Sequence, residues 1–112
     1  DIFLNNNCDY LNNLVFPGFP QGMNCQVYKS SILKKSYKLV NKIEDYEHVT
    51  SHILRNSKLF KHLYLAPPSN MYYPKLRYEL DEKKDYIKIK KIIESFSKNN
   101  YEFTCLDIIN KN

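Results

Sequence analysis

Tryptophan is absent from this sequence of 112 residues, and glycine occurs only twice, at Gly18 and Gly22. The conformational freedom that glycine gives the backbone is therefore concentrated in one short segment. The three cysteines, Cys8, Cys25 and Cys105, are odd in number and far apart, which argues against a disulfide framework or a C-x-x-C pair. No apolar run reaches the roughly 18 residues of a membrane span, and no signal peptide is recognisable. We expect a soluble, cytoplasmic protein with reduced thiols.

Positive charge is in modest surplus: 17 basic residues against 12 acidic ones give a formal net charge of +5. A surplus of this sign can indicate a nucleic-acid partner. The basic residues are almost all lysines and are scattered along the chain, so we do not expect a nucleic-acid interface. A small basic nucleic-acid-binding domain is nevertheless one alternative hypothesis, and a non-catalytic assembly or dimerisation module is another.

Hydrophobic periodicity predicts strands that interleave with helices, which favours a single domain, 1–112, of layered α/β type with a mixed sheet and flanking helices. The apolar pattern predicts the tail of a helix at the start of the chain. It also predicts that the last long helix begins at Asp81. The remaining predicted elements are strands at 10–16, 24–28, 59–65 and 76–80 and helices at 31–41, 44–55 and 104–110.

Asp81 follows the predicted strand 76–80 and precedes a predicted helix. Ligands of open α/β sheets bind outside the carboxyl ends of strands, and a carboxylate there can hold Mg²⁺, which prefers oxygen ligands. Aspartate is also a favoured helix N-cap, so capping is the alternative interpretation.

Two histidines, His48 and His52, are four residues apart within the predicted helix 44–55. This spacing would place both on one helix face, where they could bind one metal ion, but no third ligand at a suitable spacing is apparent. Hydrogen bonding to neighbours is the alternative. His48 could instead join Glu47 and Thr50 in a polar cluster that faces a sugar.

The segment 19–26 carries Gly22 and ends at Gln26. A glycine-bearing loop lets the backbone approach a ligand closely, and Gln26 can point both a donor and an acceptor into a cleft. A tight connection without a ligand explains the same residues. The sequence contains neither a G-x-x-x-x-G-K-[ST] phosphate loop nor a G-x-S-x-G nucleophile motif.

Taken together, four segments resemble the cytidylyltransferase family of spore-coat and capsular polysaccharide synthesis, relatives of the synthetases of CMP-activated acidic sugars. The resemblance runs from the start of the chain to about Phe96, and EHVT is its most distinctive element. CDYLNN (8–13) is similar to the family's ADYxSN, FPQGMNCQVY (19–28) to yPdGlDvEvf, EHVT (47–50) to the same letters, and LRYELDEKKD (76–85) to lRwtvDtpeD.

The resemblance implies the C-terminal portion of a nucleotide-diphospho-sugar-transferase-like fold, whose N-terminal nucleotide-binding half is not in this chain. The complete protein would be an Mg²⁺-dependent, homodimeric enzyme that transfers a cytidylyl group from CTP to a sugar. The chain alone would be inactive, and none of its residues is predicted to be catalytic. Asp81 would be the metal ligand. The implied substrate-binding residues are Gly22, Gln26, Glu47, His48 and Arg77.

Two positions depart from the family's pattern. Gln26 stands where glutamate is usual, and Asn24 where aspartate is usual. Both lose a negative charge, so the resemblance implies either a different substrate or weakened catalysis.

Overall fold

The computed structural model describes residues 2–48, 50–96 and 102–111. The chain forms two compact units, one built from Asp1–Phe16 and Cys25–Leu65, the other from Pro17–Asn24 and Ala66–Asn112. The assignment of the whole chain to a single domain stays a prediction. Within the described ranges, every helix is too short or too polar to cross a lipid bilayer.

The first unit contains a three-stranded mixed sheet, which confirms the predicted α/β class. The strands are β1 (Tyr10–Asn12), β2 (Gln26–Tyr28) and β3 (His62–Tyr64), in the order β2-β1-β3. β1 pairs antiparallel with β2 and parallel with β3. All three residues of β1, the central strand, are buried. Each strand lies inside a predicted one but is shorter.

Four short helices accompany this sheet: α1 (Ile2–Asn5), α2 (Ser30–Tyr37), α3 (Glu44–Glu47) and α4 (Ser51–Arg55). Helix α1 confirms helical structure at the start of the chain, and α2 confirms the helix predicted at 31–41.

The prediction of one continuous helix over 44–55 is wrong. The backbone leaves helical geometry at His48, with φ −104° and ψ 85°, so the segment forms α3 and α4 instead. The chain after the break continues with Val49 and Thr50, whose β-branched side chains have low helix propensity. Val49 is outside the described residues.

The second unit contains α5 (Lys83–Glu94), α6 (Cys105–Ile109) and a 3-10 helix at Ser69–Met71. The helix predicted at 104–110 is confirmed. It begins after Thr104, whose side chain accepts a hydrogen bond from the backbone N–H of Asp107.

The strand predicted at 76–80 is wrong, because only one isolated parallel bridge, between Gln21 and Arg77, forms in this segment. The backbone N–H of Gln21 donates to Leu76 (2.9 Å), and that of Tyr78 donates to Gln21 (2.8 Å). The partner segment carries Pro20, and proline cannot donate the hydrogen bonds that a longer ladder needs.

The last long helix does not open at Asp81 as predicted. Glu82 is the N-cap of α5, and its side chain and that of Asp85 form a reciprocal capping box with the backbone. The alternative interpretation of Asp81 as the helix cap is therefore also wrong.

The core of the first unit is small and centres on Tyr10, Ile53 and Phe60, each at most 1% exposed. Tyr28, Ile32 and Leu54 pack around these three residues. The core thus joins the central strand β1 to helix α4.

Replacing the core phenylalanine tests this arrangement. We expect Phe60→Ala to lower the free energy of unfolding by about 3–5 kcal/mol, because a buried aromatic ring is lost and a cavity remains. The neighbouring Leu59→Ala is the matched control: Leu59 is 51% exposed, so its replacement should change stability by no more than about 0.5 kcal/mol. Urea unfolding followed by circular dichroism measures both, and equal effects would contradict the assignment of the core.

Candidate functional site

A cavity of about 500 Å³ in the first unit collects three of the predicted substrate-binding residues: Gln26, Glu47 and His48. Gln26 is supplied by strand β2 and Glu47 by the end of helix α3, and His48 lies at the break that follows. The cavity is lined in addition by Leu14, Tyr28, Thr50, Ser51 and Leu54.

The side-chain amide of Gln26 is held at its oxygen. Oε1 accepts one hydrogen bond from the Tyr10 hydroxyl and another from the Thr50 hydroxyl. A carbonyl oxygen has two lone pairs, so this acceptor is saturated and the amide nitrogen remains to donate. Because Gln26 lines the cavity, it offers N–H donors to a ligand there.

Tyr10 stays a donor over a wide pH range. Burial raises the pKa of its hydroxyl above 10.0, an effect that the neighbouring Thr50 hydroxyl partly offsets. The phenol is therefore protonated at neutral pH and keeps Gln26 in one orientation.

An ion pair spans the helix break. Asp45 on α3 has a side chain only 1% exposed, and one of its carboxylate oxygens is bound by the guanidinium of Arg55 on α4. The two short helices are thus tied together on either side of His48. The bond from Thr50 to Gln26 fixes the same turn to the sheet.

The two histidines have separate surroundings. His52 Nδ1 lies 2.8 Å from the hydroxyl of Ser36, and its ring packs edge-on against Phe60. His48 lines the cavity instead. Since the helix is broken between them, the i, i+4 spacing does not put them on one helix face. Within the described ranges, no three His, Cys, Asp or Glu side chains are grouped as a metal site.

In the second unit, Arg77 lies at the centre of a carboxylate cluster. Its Nε is 3.2 Å from Glu79, and one terminal nitrogen is 3.1 Å from both carboxylate oxygens of Asp85. The other terminal nitrogen binds Asp81. The hydrogen bond that Arg77 donates to Asp85, together with the nearby negative charges, raises the pKa of Arg77. The predicted substrate-binding arginine and the predicted metal ligand therefore contact each other.

Gly22 has a packing role in the same unit. Its φ is +89°, and a Cβ atom on it would lie 2.7 Å from the backbone carbonyl carbon of Tyr78. Any side chain at this position would both strain the backbone and collide with the segment that carries Arg77. A contact between Gly22 and substrate stays a prediction.

Asp81 fits Mg²⁺ only as a single ligand. Its side chain is 65% exposed and provides the oxygen donors that Mg²⁺ prefers, but Arg77 already binds it. The described residues form no complete metal site. One carboxylate is sufficient where substrate phosphates supply further oxygens, which is common for Mg²⁺.

Sequence reasoning missed two residues that organise these groups. Tyr10 supports Gln26 from 16 positions away, and nothing local in the sequence signals that contact. Asp85 supports Arg77 and caps α5, and the acidic residue three positions after Glu82 is a recognisable capping-box spacing.

No model of a known protein family matches the chain. An uncharacterised protein of Methanocaldococcus jannaschii is 29% identical over 115 residues, a match that covers 100% of this chain and 45% of that protein. The structure of a cytidylyltransferase from Leptospira borgpetersenii superposes with a TM-score of 0.84 at 26% identity, covering 99% of this chain and 46% of that one. The chain thus spans about half the length of each. It has the fold of a portion of a cytidylyltransferase.

The surroundings of Asp85 predict that acid lowers the stability of helix α5. The backbone N–H groups of Glu82 and Asp81 and the guanidinium of Arg77 lower the pKa of Asp85 below its ordinary 3.8. A carboxylate of this kind contributes its full stability above its ordinary pKa and loses it as the pH falls through the lower folded-state value. We expect Asp85→Asn to destabilise the protein at neutral pH and to flatten the loss of stability below about pH 5.

Urea unfolding between neutral and acidic pH measures this effect. Glu94→Gln is the control, because Glu94 is exposed and, within the described ranges, forms an ion pair only with Lys90, 3.7 Å away. A pH dependence in Asp85→Asn identical to that of the unmodified chain would contradict the role of Asp85.

Proposed function

We propose that this chain is the sugar-site portion of a larger cytidylyltransferase that activates a sugar with CTP for surface polysaccharide synthesis. The observation that carries the proposal is the structural similarity over 99% of the chain to part of a cytidylyltransferase, at 26% identity. The four segments that resemble the spore-coat and capsular family support the same assignment.

The chemistry of the first unit's cavity suits a sugar. Gln26 offers amide donors, Glu47 carboxylate acceptors, and His48 an imidazole that both donates and accepts. The ring of Tyr28 and the side chain of Leu54 add apolar surface for the carbon face of a sugar ring. A volume of about 500 Å³ is within the usual range of small-molecule sites, about 300–1,000 Å³.

In the proposed reaction, a sugar hydroxyl attacks the α-phosphorus of CTP, the bond to the β-phosphate breaks, and pyrophosphate departs. Bound Mg²⁺ would offset charge on the phosphate oxygens. Asp81 is the proposed ligand for that ion and would exchange its bond to Arg77 for it. Arg77 would stay in place, because Asp85 and Glu79 continue to bind it.

The chain by itself should not turn over CTP. Phosphoryl-transfer catalysis consists mainly of positioning and charge stabilisation, so it requires a nucleotide site. The sequence contains no phosphate-binding loop of the Walker type. We expect no pyrophosphate above background when the purified chain is incubated with CTP, Mg²⁺ and a panel of sugars, measured by a coupled phosphate assay. Sustained release of pyrophosphate would refute the proposal that the chain by itself is inactive.

Sugar binding is the direct test of the cavity. We expect one class in a panel of neutral, N-acetylated and acidic sugars to shift the backbone amide resonances of Gln26, Glu47, His48 and Thr50 in a saturable manner. Gln26→Glu keeps an oxygen for the Tyr10 and Thr50 hydroxyls but removes the amide donors. It should weaken binding about 2–10-fold, the effect of one hydrogen bond.

Gln21→Glu is the matched control, since it makes the same change on an exposed side chain of the second unit. It should leave sugar affinity unchanged. If no sugar shifts the resonances of the four cavity residues, the proposal that this cavity binds a sugar is refuted.

A further inference from the structure

The cavity around Gln26 combines two side chains of opposite hydrogen-bonding capacity. Gln26 offers only donors, because its Oε1 already accepts from the Tyr10 and Thr50 hydroxyls. Glu47 offers only acceptors, since an ionised carboxylate has no proton to donate. Gln26 is supplied by strand β2 and Glu47 by the end of helix α3. A ligand that satisfies both must therefore present an acceptor to one element and a donor to the other.

An acetamido group meets this requirement better than a sugar hydroxyl does. A hydroxyl that accepts from Gln26 keeps a proton of its own, which needs a further acceptor. In a trans amide the carbonyl oxygen and the N–H group lie on opposite sides of one rigid plane. Such a group can accept from Gln26 and donate to Glu47 at once, and its rigidity limits the entropy lost on binding.

The methyl end of an acetamido group also matches the lining of the cavity. Leu14 and Leu54 line the same cavity and provide apolar surface. A methyl group gains free energy when it leaves water for such a surface, in proportion to the area it buries. A hydroxyl at the same place on the sugar has no apolar part to bury.

The charge of the cavity disfavours an acidic sugar. Among the described residues that line the cavity there is neither a lysine nor an arginine, and Glu47 is the one carboxylate. A carboxylate on the sugar would therefore meet a like charge without a permanent counter-ion, which costs binding free energy. An uncharged sugar avoids this cost.

We propose that the sugar bound in this cavity is uncharged and carries an acetamido group. Gln26 donates to the carbonyl oxygen of that group, and Glu47 accepts from its N–H. Leu14 and Leu54 contact its methyl group. This preference rests on the proposed function, because it specifies the substrate class of the same cavity.

Matched sugars that differ in one group test the preference. Glucose, galactose and mannose are each compared with the 2-acetamido derivative and the uronic acid of the same series. Each sugar is titrated into the full chain at about pH 8, where histidine side chains are normally uncharged. The amide resonances of Gln26, Glu47, His48 and Thr50 report binding. In at least one series, the acetamido sugar should bind about 3–10-fold more tightly than the parent sugar, the effect of one net hydrogen bond. The uronic acid should bind more weakly than the parent sugar.

Two variants separate hydrogen bonding from charge. Gln26→Glu replaces the donors by a carboxylate, so it should remove the advantage of the acetamido sugar over its parent. Glu47→Gln keeps an acceptor but removes the charge, so it should bring the uronic acid to within about twofold of the parent sugar. Glu44→Gln is the matched control, because Glu44 is exposed on the same helix α3 and does not line the cavity. It should leave all the affinity ratios unchanged.

The outcomes distinguish this preference from the sugar site itself. Equal affinities for the parent and acetamido sugars in every series, or tightest binding of a uronic acid, would overturn the acetamido preference and leave the sugar site standing. If no sugar shifts the four reporter resonances, the sugar site is refuted and the preference with it.

Discussion

The first unit depends on one constraint: the three-residue strand β1 is hydrogen-bonded along both edges, and all three of its residues are buried. A buried tyrosine hydroxyl needs a partner, and Tyr10 finds it in the amide oxygen of Gln26 on β2. Thr50 binds the same oxygen. The hydrophobic core and the candidate sugar site therefore share Tyr10, and the orientation of Gln26 follows from the pairing of two strands.

Local patterns were sufficient for the class of the fold and for part of the site. Period-two alternation located β2, and apolar spacing located α2, α5 and α6, because each of these elements is formed by residues close in sequence. The polar motif residues Gln26, Glu47 and His48 were predicted to bind a ligand, and the structure brings these three together at one cavity. Their contact with a sugar stays a prediction.

The features that the sequence did not predict are determined by contacts between residues that are distant in the chain. The helix over 44–55 is interrupted at a turn where Thr50 bonds to Gln26, 24 positions earlier. The alternating segment 76–80 forms no strand, since its neighbour is a proline-containing loop with a single bridge. Asp81 is predicted to be a metal ligand because it follows that segment. Its observed contact with Arg77 depends on side-chain positions, which periodicity does not predict. At each of these sites, contacts between residues distant in sequence determine a structure that local periodicity does not predict.

The anchored amide of Gln26 also affects how the ligand preference of such a site can change during evolution. Glutamine and glutamate are nearly identical in shape, and the Tyr10 and Thr50 hydroxyls would hold one oxygen of either residue. Only the other terminal atom would change, from an amide donor to a charged acceptor. Glutamine and glutamate codons differ in their first base alone. A single point mutation can therefore reverse the hydrogen-bonding preference of this position while the scaffold beneath it is inherited intact.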